Sequence, residues 1–170
     1  NIYGFVRFAD EIVDSFHDFD KEFLLNKFEN DLEEAIADGI SLNPILNSFQ
    51  HTVNKYEIDY DLVKAFMNSM RMDLHKHEYH TIEEYNNYIY GSADVVGLMC
   101  LKVFVGGDSE KYDSLKESAM RLGSAFQKVN FLRDLKDDVE LLERIYFPHV
   151  NLRNLNPESK EVIIKEIEED

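Results

Sequence analysis

Two distant segments of this sequence each carry a pair of aspartates at a spacing suited to binding divalent cations. Asp10 and Asp14 lie in the segment YGFVRFADEIVD, and Asp134 and Asp138 lie in QKVNFLRDLKDD. Residues at i and i+4 share one face of a helix, so each pair predicts two carboxylates one turn apart. If the two helices face each other, the four carboxylates could hold Mg²⁺ ions, and those ions could hold a diphosphate.

The aspartates alone are a weak signal, and the residues in line with them are a stronger one. With 34 acidic residues among 170, about seven acidic pairs at this spacing are expected by chance. A line of polar residues along one face of a helix, here called a stripe, either faces water, the usual case for an acidic helix, or lines a cavity. The mixture of arginine, amide and tyrosine with the acids favours a cavity. The two stripes are Tyr3, Arg7, Asp10 and Asp14, and then Gln127, Asn130, Asp134 and Asp138.

The charge of the chain limits its partners. The formal net charge is −16 at pH 7, which argues against a nucleic-acid partner because no basic patch could neutralise a phosphate backbone. The same charge would repel a diphosphate unless divalent cations lay between protein and ligand. A diphosphate-binding function therefore predicts dependence on a metal.

Cysteine content and hydropathy indicate the compartment. Cys100 is the only cysteine, so no internal disulfide can form, which fits a reducing compartment such as the cytoplasm. No apolar stretch is long enough for a transmembrane helix, and no signal-peptide pattern is present. Both ends of the sequence have the pattern of an unfinished helix. We therefore expect residues 1–170 to be one domain of a longer protein, truncated at both ends.

Helical periodicity runs through nearly the whole chain, and no segment alternates with a period of two. Gly39 and the Gly106-Gly107-Asp108 turn predict helix ends, while Pro44 and the capping box of Thr81 and Glu84 predict helix starts. The sequence thus predicts an all-α helical bundle. The expected helices are Asn1–Phe16, Asp20–Ala37, Pro44–Tyr56, Asp59–Leu74, Thr81–Val105, Lys111–Leu142 and a last helix that begins at Pro157.

Small residues interrupt the apolar fifth helix in the segment YIYGSADVVGLM. Each glycine in a helix costs about 1 kcal/mol relative to alanine, so Gly91 and Gly97 indicate a structural or functional requirement. One interpretation is close packing against another helix. The other, which we favour, is that Ala93 and its small neighbours leave room for a long apolar ligand.

These motifs together resemble the squalene/phytoene synthase family, whose members condense two prenyl diphosphates. The resemblance covers most of the chain, and the two aspartate-rich segments with their flanking arginine and amides are its most specific part. Within the family the sequence is most similar to bacterial phytoene synthases. In order along the chain, the matching stretches are YGFVRFADEIVD at 3–14, MRMDL at 70–74, YIYGSADVVGLM at 88–99, and QKVNFLRDLKDD with ERIYFP within 127–148.

The resemblance implies a fold, a reaction and a set of site residues. The fold is a single-domain helical bundle of the isoprenoid synthase type with a central cavity. The reaction joins two prenyl diphosphates, here two geranylgeranyl diphosphates, head-to-head to phytoene through a cyclopropyl diphosphate, with Mg²⁺ or Mn²⁺ assisting diphosphate departure. Asp10, Asp14, Asp134 and Asp138 correspond to the catalytic, metal-binding carboxylates. The substrate-binding residues are Tyr3, Arg7, Tyr88, Gln127, Asn130 and Arg133.

Other functions share some of these features. A squalene or dehydrosqualene synthase would use farnesyl diphosphate, and would need NADPH only if squalene were the product. A class-I terpene cyclase would share the aspartates but would not explain YIYG and ERIYFP. A non-catalytic helical binding or assembly protein descended from the family would tend to lose its aspartates. For a hydrocarbon product we also expect peripheral contact with a membrane, so that the protein would be cytoplasmic with a membrane-associated step.

Overall fold

The computed structural model describes residues 1–76, 78–134, 146–148 and 156–170, and these residues are almost entirely helical. No β-strand occurs among them, which confirms the predicted all-α fold. None of the helices they form is long and apolar enough to cross a membrane. The helices are α1 (Ile2–Ser15), α2 (Lys21–Asp38), α3 (Pro44–Tyr56), α4 (Tyr60–His75), α5 (Ile82–Ile89), a π-helical turn (Tyr90–Asp94), α6 (Val95–Phe104), α7 (Ser109–Arg133) and α8 (Pro157–Glu169).

Local sequence signals set most of the helix boundaries where they were predicted. Gly39 ends α2 in the left-handed conformation, with φ of 72°, which glycine adopts without a steric penalty. Pro44 opens α3 behind the capping side chain of Asn43. The hydroxyl of Thr81 accepts the backbone N–H of Glu84 at 3.2 Å and caps α5.

The predicted fifth helix is not one continuous α-helix. A π-helical turn at Tyr90–Asp94 separates α5 from α6, and such single turns are frequent at functional sites. Gly91 lies in this turn, against α4. A Cβ atom at Gly91 would lie 2.8 Å from the Ala65 carbonyl oxygen, so α4 can approach the turn closely only because the side chain is missing.

The helix predicted over Lys111–Leu142 corresponds to α7, which ends at Arg133. Asp134 leaves the helical conformation with φ of −94° and ψ of 4°. Acidic side chains are unfavourable at the negative end of the helix dipole. The carboxylate of Asp134 is therefore disfavoured within a continued α7 helix. Residues 135–145 lie outside the described part of the chain.

Two apolar clusters hold the helices together. The larger cluster contains side chains of α1, α2, α3, α4 and α6. At its centre the Phe5 ring stacks on Phe49 with centroids 4.0 Å apart. The smaller one is aromatic and joins α5, α7 and α8 to residues 146–148. In it, Phe131 stacks on Tyr146 with centroids 3.9 Å apart, and Tyr85 and Ile163 are buried beside them. Residues 146–148 are thereby fixed against α7.

Helices α6 and α7 touch backbone to backbone. A Cβ atom at Gly97 of α6 would lie 2.5 Å from the Ala119 carbonyl oxygen, and one at Gly123 of α7 would lie 2.8 Å from the Ala93 carbonyl oxygen. Neither backbone can move away without separating the two helices. These two glycines therefore set the spacing between α6 and α7.

A buried carboxyl reinforces this pair of helices. The Ser124 hydroxyl of α7 donates to Asp94 Oδ1 at 2.8 Å, and Asp94 is largely buried in the π-helical turn. Burial raises the pKa of Asp94 to about 6; Asp170 adds to the rise, whereas the Ser124 hydrogen bond and Lys128 oppose it. Part of the Asp94 population is thus protonated at mildly acidic pH.

We expect Gly97→Ala to lower the free energy of unfolding by about 1–3 kcal/mol, because the new methyl group overpacks a backbone contact that cannot relax. Helix propensity alone predicts the opposite sign, a gain of about 1 kcal/mol. Gly4→Ala is the matched control, since a Cβ there meets only Ile45 at 4.0 Å. Urea denaturation of both variants checks this. A more stable Gly97→Ala protein would contradict it.

The titration of Asp94 makes the unfolding free energy depend on pH. Because the folded-state pKa of Asp94 lies above the ordinary value of 3.8, the folded state binds more protons than the unfolded state between about pH 4 and pH 6, and stability falls as pH rises through that window. Asp94→Asn removes this titration. The unfolding free energy of Asp94→Asn relative to wild type should therefore rise from about pH 4 to about pH 7. A difference that does not change with pH would contradict the prediction.

Candidate functional site

The first predicted stripe lies on α1, where the opposite face is buried in the larger core. Tyr3 is 77% exposed, Arg7 is exposed, and Asp10 and Asp14 are half-buried. The guanidinium of Arg7 donates to Asp10 Oδ2 at 2.5 Å and to Glu11 Oε2 at 2.7 Å. The charge of Asp10 raises the pKa of Arg7. Arginine and carboxylates thus compensate one another on an accessible helix face.

The second stripe lies at the end of α7. Gln127 and Asn130 are half-buried, and the backbone N–H of Asp134 donates to the Asn130 carbonyl at 2.9 Å. Arg133 donates two hydrogen bonds to the Asp134 carboxylate, from Nε to Oδ1 at 2.7 Å and from Nη2 to Oδ2 at 2.5 Å. This hydrogen bonding lowers the pKa of Asp134, so the carboxylate is ionised at neutral pH. Asp138 lies outside the described residues.

An apolar cavity of about 520 Å³ lies between α1, α6 and α7, within the size range of about 300–1,000 Å³ common for small-molecule sites. On α7 its wall extends from Leu115 to Gln127, a rise of about 18 Å at 1.5 Å per residue. The cavity is therefore long and apolar. Its lining residues are Val6, Ser92, Ala93, Val96, Gly97, Cys100, Leu101, Phe104, Leu115, Ser118, Ala119, Leu122, Gly123, Phe126 and Gln127.

The pockets also show how the two acidic stripes are oriented along this cavity. Tyr3 shares a second pocket with Cys100 and Phe104, which places the start of α1 near the end of α6. Val6 lies on the main cavity wall, and Asp10 follows one turn later along α1. On α7 the wall ends at Gln127 and Asp134 follows. Among the described stripe residues, Asp10 and Asp134 therefore follow the cavity wall toward the same end, and Tyr3 lies toward the other end.

Tyr88 lies in the smaller, aromatic core and is not among the residues that line the cavity. Its hydroxyl donates to Asp73 Oδ2 at 3.0 Å, and Tyr79 and Tyr146 pack against its ring. Burial raises the pKa of Tyr88 well above the usual value for tyrosine, and Asp73 adds to this effect. The phenol therefore remains a protonated hydrogen-bond donor.

The side chains of the two stripes have the chemistry that magnesium requires. Carboxylate oxygens are the preferred ligands of this cation, and Asp10, Asp14 and Asp134 offer them on accessible faces. Within residues 1–76, 78–134, 146–148 and 156–170, no three or more histidine, cysteine, aspartate and glutamate side chains form a group able to hold a metal. The predicted set also includes Asp138, which lies outside these ranges.

The contribution of α7 to the cavity wall was not predicted from the sequence. Ser118, Ala119 and Gly123 are small residues on the side of α7 that faces α6. Their spacing of one and four residues, opposite the small residues of the fifth helix, was a usable signal. Gly97 packs against α7 and also lines the cavity, so the two interpretations of the small residues in this segment do not exclude each other.

Comparison with proteins of known kind supports the same fold. The chain superposes on the squalene synthase HpnC from Alicyclobacillus acidocaldarius with a TM-score of 0.73 and 28% identity, over 86% of this chain and 53% of that one. This likeness agrees with the predicted all-α fold of the isoprenoid synthase type.

Sequence relatives point to one family. The phytoene synthase of Arthrospira platensis is 31% identical over 99% of this chain and 57% of that protein. The chloroplastic phytoene synthase of Daucus carota is 34% identical over 89% of this chain and 38% of that protein. The chain thus spans less than two thirds of the length of each. The family profile of squalene/phytoene synthases matches residues 1–166, and the chain belongs to that family.

Proposed function

We propose that this chain is the catalytic part of a Mg²⁺-dependent prenyltransferase that condenses two geranylgeranyl diphosphates head-to-head to phytoene, through a cyclopropyl diphosphate intermediate. The observation that carries this proposal is a long apolar cavity lined by Val6 of α1 and Gln127 of α7, which Asp10 and Asp134 follow along the same two helices. A prenyl diphosphate has the same two parts, an anionic head and a long apolar chain.

The head would bind at the acidic end. Asp10, Asp14, Asp134 and Asp138 would hold Mg²⁺, or Mn²⁺, which when bound would neutralise charge on the departing diphosphate. Arg7 now pairs with Asp10 and Arg133 with Asp134. Each guanidinium would exchange its carboxylate for diphosphate oxygens, which its planar donor fork fits well. Gln127 and Asn130 would orient the head by donating amide hydrogen bonds.

The prenyl chain would lie along α6 and α7. The cavity wall contains few polar groups, and Leu122 and Phe126 of α7 present apolar side chains to it. An apolar wall of this kind offers no hydrogen-bond partners that would hold water beside an allylic cation, which water would quench. Aromatic faces such as that of Phe126 stabilise a nearby positive charge. The buried Tyr88 would act from behind this wall, through the aromatic core it shares with Phe131.

The second candidate is a squalene or dehydrosqualene synthase that uses farnesyl diphosphate, with NADPH needed only for squalene. The structural likeness to HpnC favours keeping this candidate. In either case we propose a cytoplasmic protein whose hydrocarbon product leaves through peripheral contact with a membrane. A non-catalytic role is disfavoured by the preservation of both aspartate pairs in the sequence.

We expect Asp10→Asn to lower kcat/KM by about 10²–10³-fold, because the variant loses a carboxylate that acts at the developing charge. The melting temperature should change little, since the Arg7 pair is exposed and such pairs contribute about 0–1 kcal/mol. Calorimetry with inorganic diphosphate in Mg²⁺ gives a direct readout of the same loss.

Asp31→Asn is the matched control. Asp31 forms an equally exposed ion pair with Lys27 on α2, at 2.9 Å, and is not on the cavity. It should leave turnover and diphosphate binding unchanged. Wild-type protein that binds diphosphate equally well in excess chelator would refute the metal-dependent proposal.

A further prediction concerns the length of the prenyl chain. Ala93→Leu places a larger side chain on the cavity wall, so use of geranylgeranyl diphosphate should fall relative to farnesyl diphosphate. Ala35→Leu is the control, since Ala35 is 1% exposed in the larger core and overpacking there should cost about 1–3 kcal/mol without changing preference. Competition assays with both substrates measure the ratio. A destabilised Ala93→Leu protein with the wild-type ratio would assign Ala93 to packing alone.

A further inference from the structure

Lys128 is a buried cation in α7, immediately after the cavity residue Gln127. Only 9% of its side chain is exposed. Lysine is almost never this buried unless its charge is paired, and a buried ammonium without a partner would be costly. The position therefore requires partners of opposite charge, and these are Glu166 of α8 and Asp170, directly after α8.

The ammonium of Lys128 lies 3.1 Å from Glu166 Oε1 and 2.6 Å from Asp170 Oδ2. The Tyr85 hydroxyl of α5 donates to the same Glu166 oxygen at 3.0 Å. Burial raises the pKa of Tyr85 far above the usual range, so this hydroxyl stays a donor. Glu166 thus joins α5, α7 and α8 at one point.

Neighbouring contacts act on the same side of α7. One turn before Lys128, Ser124 donates to buried Asp94. Two turns before it, the Arg121 guanidinium donates to the Glu169 carbonyl at 3.3 Å. At 3.6 residues per turn, this polar side is roughly 120° around the helix from the stripe of Gln127, Asn130 and Asp134. A rotation of α7 about its own axis would therefore break these polar contacts and at the same time move the stripe.

We propose that Lys128 is a positioning residue: by binding Glu166 on α8, it fixes the rotation of α7 and so aims Gln127, Asn130 and Asp134 at the diphosphate. This inference rests on the proposed function. Buried ion pairs add little net stability compared with apolar residues of the same size, but their directional geometry can select one arrangement. Apolar packing on the back of α7 would tolerate small rotations that a paired ammonium does not.

The test is Lys128→Met, which keeps an unbranched side chain one atom shorter and removes the charge. We expect the Kd for inorganic diphosphate in Mg²⁺ to rise about tenfold or more, since supporting residues behind a binding site typically contribute 10–100-fold. The kcat of condensation should fall as well, and Lys128→Arg should recover most of both. Lys111→Met, on the exposed first turn of the same helix, is the control and should bind as wild type does.

The double variant Lys128→Met/Glu166→Leu distinguishes a purely structural role of Lys128 from a positioning role. It replaces the ion pair with apolar groups. Because Asp170 loses Lys128 and the Tyr85 hydroxyl loses Glu166 in this variant, we expect it to regain part of the unfolding free energy lost in Lys128→Met, while the raised Kd persists. Recovery of both would overturn the proposal. If Lys128→Met does not fold, Glu166→Gln decides: weakened diphosphate binding supports the proposal and wild-type binding overturns it.

The outcomes also separate this inference from the proposed function. Wild-type protein that binds diphosphate in Mg²⁺, together with equal binding by Lys128→Met, overturns the role of Lys128 alone. Wild-type protein that shows no metal-dependent binding overturns the proposed function, and this inference with it.

Discussion

The backbone contact between α6 and α7 is the constraint on which the rest of the structure depends. Gly97 allows α6 to rest on the Ala119 carbonyl oxygen of α7, and Gly123 allows α7 to rest on the Ala93 carbonyl oxygen of the π-helical turn that leads into α6. The distance between the helix axes is then fixed by main-chain atoms, which cannot adopt other rotamers. A cavity wall built on such a contact keeps its shape, which a wall of long flexible side chains would not do.

The same contact explains how small residues can serve packing and ligand binding together. Where glycine faces the backbone of the partner helix, the two helices close. Where small residues lie beside this contact, as at Ser92, Ala93 and Ser118, the space between the two helices opens into the cavity. The polar pair of Ser124 and Asp94 then lies behind the contact and is kept from water. The same pair of helices thus has a close backbone contact, a cavity wall and a buried polar pair on three different sides.

How much of this could be predicted depended on whether the cause was local. Gly39, Pro44 and Thr81 fixed helix boundaries through their own conformational preferences, so these boundaries followed from the sequence. The π-helical turn did not, because it lies where Gly91 meets α4, a contact between residues far apart in the chain. The Lys128 pair with Glu166 was invisible for the same reason. The residue types of the acidic stripes were apparent from spacing, whereas their position relative to the cavity required the packing of α1 and α7.

Helix dipoles add a last argument about the acidic end of the cavity. Asp14 lies in the last turn of α1, and Asp134 caps the C-terminus of α7. Both helices therefore present carboxylates at their negative ends, where a negative side chain is disfavoured by about 0.3–1 kcal/mol. Arg7 and Arg133 offset part of this charge from exposed positions, where screening by solvent is strong. At Asp134 the hydrogen bonds from Arg133 prevail, since the pKa of this carboxyl is lowered. The carboxylate at the end of α7 is therefore held ionised, which is the state that a divalent cation requires of its ligand.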